Sequence, residues 1–415
     1  MKSPDSAPFD DAFAILRENL RTADHEEIAT SDAVGRIVVR DVQAQLDVPP
    51  FSRAMMDGFA VRCESATEGA VIPVRDKIQA GSGVIPNVEE GCAVRIMTGS
   101  RVPSGADAVL RFEWAEEPQP GCIKVLRSPS LGESIQARGD DGKKGDTILR
   151  KGQRIRPEHV ALLHSFGVFR VYVASRPKVT VIPTGSEVAV ADGRTLSDGL
   201  VYNVNAPLIA SLLKDDGCLV NDVPPISDDA VAIREAIAGG LAASDIVILT
   251  GGVSKGDADY TGQCIHEIAH EQGEQVLLKR VQLRPGTPFV FAKVGDKAIF
   301  GLSGNPAASY IQFETLVRPA IRLSMGLMDS PFPHSIRLSK TVSMKAVPYT
   351  RVLRSRAYLQ GGELIANTDL AQSAGAVSSF GVTNCLVRID DSYAEEGTIV
   401  PARLTSLANI SYYGL

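Results

Sequence analysis

The sequence lacks three features that mark common protein classes: regularly spaced cysteines, an excess of basic residues and long apolar runs. Its six cysteines show no CxxC and no paired spacing, which argues against a disulfide framework or zinc ribbon and fits a reducing cytoplasm. The 415 residues include 43 Lys and Arg against 49 Asp and Glu, a formal charge of −6, which disfavours nucleic acid as the main partner. No apolar run approaches the roughly 20 residues of a membrane span, and residues 1–10 lack the basic flank and apolar core of a signal peptide. We therefore expect a soluble, cytoplasmic protein.

Two common nucleotide-binding motifs are also missing. GxxxxGK[ST] does not occur, since Lys255-Gly256 has the wrong order, and no GxGxxG follows a predicted strand. P-loop hydrolysis and dinucleotide binding are therefore poor candidates. The sequence does have 37 glycines and 24 prolines, together about 15% of its 415 residues. The ordinary share of the two residue types together is about 12%. With 44% apolar residues excluding disorder, these residues indicate many turns or a backbone that cradles a ligand.

Residue patterning divides the chain into four stages. Residues 8–46 have helical periodicity, and residues 48–150 have short β-like runs between Gly/Pro turns. A helix is predicted from Pro157 to Phe166. From residue 178, strands alternate with helices of 10 to 16 residues, which predicts a parallel or mostly parallel three-layer α/β sheet. Residues 335–415 alternate in β fashion and suggest a small barrel or sandwich.

The α/β part can be assigned element by element. Asn205 is a candidate cap for a helix ending at Gly217, and a hairpin is expected at Pro288–Val294 and Lys297–Leu302. The other predicted strands are Val179–Pro183, Cys218–Val223, Asp245–Thr250 and Gln275–Leu283, and the other predicted helices are Asp228–Ala243, Asp257–Gln272 and Pro306–Met325.

Three glycine-containing loops lie where ligands bind in such sheets, beyond the carboxyl ends of the strands. They are Thr184–Glu187, Thr250–Tyr260 and Gly301–Pro306. Glycine lets backbone N–H groups approach an anion, and nearby acids suit a divalent metal. A phosphorylated ligand plus a metal is the functional interpretation, and ordinary turns are the alternative.

Two other patterns have weaker functional interpretations. His266-Glu267-Ile268-Ala269-His270 matches HExxH on a predicted helix, but no third zinc ligand is evident, and the polar face of a surface helix is the favoured interpretation. Between Arg337 and Arg356 there are six basic residues and no acid. This segment is either a solvated β face or one wall of an anion site.

Taken together, seven ordered motifs resemble the molybdopterin molybdenumtransferases, the molybdenum insertase family that includes the E domain of gephyrin. The resemblance extends from about residue 10 to 410. The motifs are Met56–Ala60; Arg95–Gly99 with Pro103, Gly105 and Asp107–Val109; Arg138–Asp141; Thr184–Glu187; Thr250–Tyr260; Arg284–Pro288; and Gly304–Pro306.

The resemblance implies a fold, an assembly and a reaction. It implies an α/β pterin- and nucleotide-binding domain (1–26 and 176–327), a connecting domain (27–48 and 145–175), an inserted elongated β module (49–144) and a C-terminal β-barrel (328–415). The family acts as a homodimer whose site combines the α/β domain of one subunit with the β module of the other. It takes adenylylated molybdopterin and molybdate, cleaves the pyrophosphate with Mg²⁺, inserts molybdenum into the dithiolene and releases AMP.

The resemblance also implies roles for particular residues. Glu187 and Asp228 match acids for Mg²⁺ and pyrophosphate activation, with Asp229 an alternative to Asp228. Four matches fall in the β module: Asp57, Thr98, Arg138 and Asp141. The matches that would hold the pterin or nucleotide are Thr184, Gly185, Ser186, Gly251, Gly252, Ser254, Asp259, Pro285, Gly286, Gly304, Asn305 and Pro306. Weaker matches on the molybdate side are Arg351, Arg354 and Ser373.

The chain also departs from the family pattern. Ala54-Met55 replaces a Ser before the Met-Asp-Gly run, and Phe59 replaces Tyr. Thr287 stands where Lys is usual, and Ser303 where the last loop usually begins with Pro. Lys255 occupies a position that is usually small or apolar. The main acids remain, so a working enzyme is favoured over a paralogue that handles tungstate or a non-catalytic scaffold.

Overall fold

The computed structural model describes residues 6–81, 83, 85–190, 193, 195–253, 260–406 and 411–412. The chain forms two compact units. The large unit contains Met1–Glu26, Gly35–Val39 and Val173–Leu415, and the small unit contains Glu27–Val34 and Arg40–Tyr172. Within the described ranges, no helix is long and apolar enough to cross a membrane.

The described helices are short to medium in length. They are α1 (Phe9–Asn19), α2 (Pro157–Ser165), α3 (Asn205–Asp215), α4 (Ala230–Ala243), α5 (Tyr260–Glu271), α6 (Pro306–Gln312) and α7 (Arg318–Ser324). A π-helical segment, Phe313–Val317, joins α6 to α7. The helix predicted for Pro306–Met325 is therefore present, with one wider turn in its middle. Helix α2 begins at Pro157, which confirms the predicted helix start.

The small unit is built on a β-sheet of strands that pair in the order β7-β4-β6-β5-β9-β8. The described strands between residues 25 and 174 are β1 (His25–Ala29), β2 (Val42–Gln43), β3 (Arg53–Ala54), β4 (Gly58–Val61), β5 (Val71–Ile78), β6 (Ala93–Ile96), β7 (Ala108–Arg111), β8 (Ala115–Gln119), β9 (Cys122–Val125), β10 (Ile135–Gln136), β11 (Thr147–Leu149) and β12 (Arg170–Ala174). Of the six strands in this sheet, β4, β6, β7 and β9 overlap the β-like runs of the sequence (60–62, 93–97, 108–112 and 123–126), whereas β5 and β8 do not. β5 contains a proline and three charged residues, and its pairing with β6 and β9 outweighs that poor local propensity.

The large unit contains a mostly parallel sheet in the order β16-β13-β17-β21-β20-β18. Its strands, with the short pair β14 and β15, are β13 (Lys178–Pro183), β14 (Val188–Ala189), β15 (Val201–Tyr202), β16 (Leu219–Asp222), β17 (Ile246–Thr250), β18 (Val276–Arg280), β19 (Leu283–Arg284), β20 (Pro288–Val294) and β21 (Lys297–Leu302). Strands β16, β13, β17 and β21 are parallel, and β20 is antiparallel to its neighbours. The predicted hairpin is confirmed at both of its strands.

Alternating apolar residues on this sheet pack into two separate clusters. Val179, Ile248 and Phe300 belong to one cluster with residues of α1, α3, α6 and α7. Val247 and Ile299, from the opposite face, join a second cluster with residues of α4 and α5. Both faces of the sheet are therefore covered by helices, as expected for buried parallel strands.

Two local predictions were wrong. Asn205 does not cap α3, because it is the first helical residue; the side chain of Asn203 instead accepts the N–H of Ala206 at 3.2 Å. The strand predicted for Gln275–Leu283 is two strands in different sheets, because the chain leaves the α/β sheet after Arg280 and β19 pairs with the barrel.

The C-terminal part forms a closed five-stranded barrel, which confirms the barrel alternative of the predicted barrel or sandwich. The strands pair in the circular order β24-β25-β22-β28-β26 and back to β24. The strands of this part are β22 (His334–Leu338), β23 (Val342–Ser343), β24 (Thr350–Gln360), β25 (Glu363–Asn367), β26 (Cys385–Ile389), β27 (Tyr393–Ala394), β28 (Ile399–Leu404) and β29 (Ser411–Tyr412).

A closed ring of six charged side chains joins helices that pack on the α/β sheet to the barrel inside the large unit. Its members, in order around the ring, are Glu314, Arg318, Asp216, Arg322, Asp329 and Arg403, with ion-pair distances from 2.6 to 3.1 Å. Four of the six residues are buried, and Arg322 and Asp329 are partly exposed. The ring has three positive and three negative groups, so its charges balance internally.

Candidate functional site

A cavity of about 1260 Å³ lies at the carboxyl ends of the parallel strands in the large unit. Loops that follow β13, β17 and β21 line it, together with the Arg284–Pro288 segment and residues of the barrel. We call it the loop cavity. Its position is where a parallel α/β sheet brings loops and helix N-termini together around a ligand.

The Thr184–Glu187 loop supplies a carboxylate to the loop cavity. Thr184 is buried, and its backbone N–H donates to the Thr250 carbonyl at 2.9 Å, which joins this loop to the one after β17. Glu187 lines the cavity and is exposed, and its own carbonyl accepts the Val201 N–H at 2.8 Å. The backbone is therefore fixed while the carboxylate remains accessible.

The structure separates the two neighbouring aspartates that the sequence left open as alternatives. Asp229 accepts the Ala232 N–H at 2.9 Å and caps α4. Asp228 accepts the Ser186 N–H at 3.1 Å, and the Ser186 hydroxyl accepts the Asp228 N–H at 3.1 Å. Asp228 is thus the aspartate bonded to the Glu187 loop, whereas Asp229 serves the helix.

The glycine loops after β17 and β21 approach each other closely. Gly251 has φ +112°, and a Cβ there would lie 2.3 Å from the Thr184 carbonyl oxygen, so no other residue fits. Its N–H donates to the Leu302 carbonyl at 3.0 Å. Beside it, the side-chain amide of Asn205 donates to the Gly304 carbonyl at 2.8 Å. These contacts leave Gly252, Gly304, Asn305 and Pro306 at the cavity wall.

Two arginines lie side by side at the cavity wall. Arg284 and Arg351 are register partners in the parallel pair β19–β24, and both line the cavity. The Arg284 guanidinium lies 5.1 Å from the ring centre of Tyr349. Adjacent like charges repel unless an anion or other partner offsets them, so this edge is suited to an anionic ligand.

Three other residues of the basic segment make contacts away from the loop cavity. Arg337 pairs with Glu363 at 2.8 Å, and Lys340 pairs with Asp369. Arg354 is fully buried and donates to the carbonyls of Ala371 and Ser373, and its burial lowers its pKa. Of the six, Arg351 alone lines the loop cavity, while Arg337 and Lys340 are paired with acids and Arg354 is buried.

Nine of the predicted site residues line the loop cavity, and others lie in contact with its walls or elsewhere. The nine are Thr184, Glu187, Gly252, Pro285, Gly286, Gly304, Asn305, Pro306 and Arg351. Gly185, Ser186, Asp228, Gly251 and Ser373 are not lining residues, although each belongs to or bonds with a lining segment. Ser254 and Asp259, with Lys255, lie outside the described residues.

The four predicted residues of the small unit are all exposed. Asp57 accepts the backbone N–H of Thr98 at 2.7 Å and its hydroxyl at 2.8 Å, which lowers the pKa of the aspartate. Arg138 donates to Asp47 at 2.5 Å. Asp141 is exposed, and its backbone N–H donates to the Val48 carbonyl. Asp57 is therefore an ionised, oriented carboxylate.

The HExxH segment has the geometry of a surface helix. His266 and His270 are both exposed on α5, and Glu267 accepts hydrogen bonds from Arg234 at 3.2 Å and Gln263 at 2.7 Å. In the described part of the chain, no group of three or more His, Cys, Asp and Glu side chains is placed to hold a metal ion. A zinc peptidase centre has no support here.

Sequence reasoning missed several lining residues because their sequence signals are ordinary. Tyr202 ends the short strand β15 and Asn203 follows it, and Gln372 and Ala374 lie between strands β25 and β26 of the barrel part, far from the glycine loops in sequence. Arg284 belonged to a recognised motif without a role. Thr287, which replaces the family lysine, donates its hydroxyl to the Leu283 carbonyl at 2.9 Å and so bonds within its own loop.

Comparisons with known proteins agree across the chain. Residues 7–167 match the MoeA N-terminal region (domain I and II), and residues 180–323 match the probable molybdopterin binding domain. A molybdopterin molybdenumtransferase from Staphylococcus aureus strain COL is 36% identical over 369 residues, covering 87% of this chain and 86% of the relative. One from Staphylococcus epidermidis is 35% identical, covering 91% and 90%.

A solved structure agrees with the sequence relatives. A molybdopterin biosynthesis MoeA protein from Pyrococcus has a TM-score of 0.83 with 28% identity, covering 97% of this chain and 99% of its own. The fold, the motifs and the relatives, which match over most of their length, lead to one assignment: the chain belongs to the molybdopterin molybdenumtransferase family.

Proposed function

We propose that this protein catalyses molybdenum insertion in molybdenum cofactor biosynthesis, taking molybdate and adenylylated molybdopterin and releasing AMP. The observation that carries the proposal is the loop cavity, in which glycine loops from three parallel strands meet a carboxylate and two arginines. The cavity exceeds the roughly 300–1,000 Å³ of most small-ligand sites. That size suits a pterin joined to a nucleotide.

The residues of the cavity divide the binding work. Backbone groups at Gly252, Gly304 and Asn305 present a surface that a phosphate can approach closely. Arg284 and Arg351 supply positive charge for the oxyanion end of the reaction. The remaining wall includes apolar side chains such as Val253 and Leu353, which suit the ring systems of the substrate. Holding both substrates in one cavity makes the transfer effectively intramolecular.

The donor set fits a magnesium ion. Mg²⁺ commonly binds through one or two carboxylates and the phosphate oxygens of a substrate rather than in an all-protein cage. Glu187 offers an exposed carboxylate in the cavity, and Asp228 is bonded to the same loop. These two residues would hold Mg²⁺, which would supply charge neutralisation at the pyrophosphate oxygens.

The proposal extends to the assembly and the organisation of the chain. We take the protein to be a cytoplasmic homodimer in which Asp57, Thr98, Arg138 and Asp141 complete the site of the partner subunit. The ordered Asp57 carboxylate, bonded twice to Thr98, supports a role for this surface. The α/β part of the large unit would be the three-layer pterin-binding domain.

Calorimetric titration tests the proposed substrate. With Mg²⁺ present, the protein should bind adenylylated molybdopterin about stoichiometrically and at least tenfold more tightly than AMP, because AMP lacks the pterin and the pyrophosphate. The nearest alternative role is a scaffold that binds another protein. Equal binding of AMP and the pterin nucleotide, or no binding of either, would overturn the proposal and leave that alternative.

A further inference from the structure

Gln312, in the large unit, is a buried polar residue to which the sequence analysis assigned no role. It is the last residue of α6, and its side chain is fully buried. Its Oε1 accepts the Ser303 N–H at 2.9 Å, and its Nε2 donates to the carbonyls of Gly286 at 2.7 Å and Pro288 at 2.5 Å. One side-chain amide therefore joins the two segments that flank the cavity, Arg284–Pro288 and Ser303–Pro306.

The hydrogen bonds fix the orientation of this amide. Both N–H donors face backbone carbonyls, and the amide oxygen faces a backbone N–H, so rotating the group by half a turn would set donor against donor and acceptor against acceptor. Gly286 has φ +114°, and a Cβ on it would lie 2.8 Å from Cγ of Gln312. The glycine and the glutamine are thus fitted to one another.

The bond at Ser303 depends on a feature of this chain. A proline at position 303, the residue usual in the resembled family, has no N–H to donate. Ser303 supplies that N–H, and its hydroxyl also accepts the Asn305 N–H at 3.3 Å. Removing the side-chain amide would take away the hydrogen-bond partner of the Ser303 N–H and of the Gly286 and Pro288 carbonyls. Buried polar groups without a partner are costly, so both loops would be destabilised.

We infer that Gln312 is a positioning residue that holds the two loops at a fixed separation, so that Gly286, Gly304 and Asn305 form one preorganised wall for the anionic substrate. The inference rests on the proposed function for its kinetic consequence. Its structural consequence, the coupling of two loops, does not depend on which substrate binds.

The test compares Gln312→Met with Gln312→Glu and with Thr315→Val as a matched control. Thr315 is also fully buried on the next turn, but its hydroxyl donates to Ile311 within its own helix at 2.7 Å. Gln312→Met keeps the side-chain length and removes the three bonds. We expect its kcat/KM for adenylylated molybdopterin to fall about 100-fold, and that of Thr315→Val to stay within about twofold of the wild type, since its change is confined to a helix.

Two further readouts separate positioning from stability. A protonated glutamate can accept from Ser303 and donate to one carbonyl, so Gln312→Glu should recover part of the activity lost in Gln312→Met. Hydrogen exchange followed by mass spectrometry should be faster in peptides covering 281–291 and 299–306 in Gln312→Met and unchanged in Thr315→Val. Wild-type kcat/KM or unchanged exchange in Gln312→Met would overturn the inference, as would an equal loss in Thr315→Val. If the wild type itself does not convert adenylylated molybdopterin, the proposed function fails. The hydrogen-exchange comparison then still decides whether Gln312 couples the two loops.

Discussion

Replacing Glu187 by glutamine should reduce the rate of AMP release from adenylylated molybdopterin by about 1,000-fold, the upper end of the cost of removing one preorganised electrostatic group from a reacting centre. The substitution keeps the size of the side chain and removes its charge. Glu187 is exposed in the loop cavity while its backbone is held by Val201, so the loop should keep its shape. The rate is measured at saturating substrate over a range of Mg²⁺ concentrations, and higher Mg²⁺ should be needed for the residual activity.

Asp229→Asn is the matched control for this experiment. It removes a carboxylate from the same neighbourhood, but Asp229 caps α4, and asparagine caps a helix about as well as aspartate. We expect its rate to remain within about twofold of the wild type, because a retained cap leaves the fold intact. A Glu187→Gln enzyme that keeps most of the wild-type rate would show that this carboxylate does not take part.

Replacing Arg318 by methionine should lower the free energy of unfolding by about 3–5 kcal/mol, the usual cost of breaking a buried ion pair by removing one partner. Arg318 bonds Asp216 at 2.6 Å and Glu314 at 2.7 Å, and all three residues are buried. The change would leave Glu314 with Arg403 alone and Asp216 with the partly exposed Arg322. Guanidinium unfolding followed by circular dichroism measures the loss.

The pH dependence gives a second test of the ring. Burial alone would raise the pKa of Asp216, but its hydrogen bonds and ion pairs with Arg318 and Arg322 outweigh burial and lower that pKa. The pKa of Asp329 is lowered in the same way, by Arg403 and Arg322. A lowered folded pKa means that the stabilisation is present above the unfolded value of about 3.9 and is lost as the pH falls through the folded pKa. The deficit of Arg318→Met should therefore be largest near neutral pH and shrink below about pH 4.

Arg337→Met is the control for Arg318→Met. Arg337 also pairs with a carboxylate, Glu363, but both side chains are partly exposed to water. Exposed ion pairs contribute little to stability because water and salt screen them, so this variant should unfold close to the wild type. Equal losses in the two variants would mean that the buried ring has no special role in stability.

Local sequence signals were sufficient for much of the fold. The hairpin Pro288–Leu302 has β-branched and aromatic residues on both sides of a glycine turn, and both of its strands were predicted with their observed bounds. Asn205 shows the limit of such reasoning. Asn203 and Asn205 are both plausible caps by residue type, and only the backbone geometry shows that Asn203 accepts the N–H of Ala206.

The candidate site was predictable in part for the same reason. Glu187 and Gly304 follow strands of one parallel sheet, so the sequence could place them at the same edge. Gln372 comes from the barrel, and its approach to that edge depends on how the barrel packs. Gln312 and Glu314 are polar residues in an apolar helix, and their partners lie in other elements. Contacts of that kind have no signature in a single sequence.

The most direct test of the account is a reconstitution with purified protein, adenylylated molybdopterin, Mg²⁺ and molybdate, with AMP and molybdenum-loaded cofactor measured together. The account predicts that both products accumulate in equal amounts, that omitting Mg²⁺ or molybdate suppresses them, and that Glu187→Gln does the same. AMP released without any molybdenum-loaded cofactor, or no AMP from a protein that binds the substrate, would contradict the assignment of molybdenum insertion to this chain.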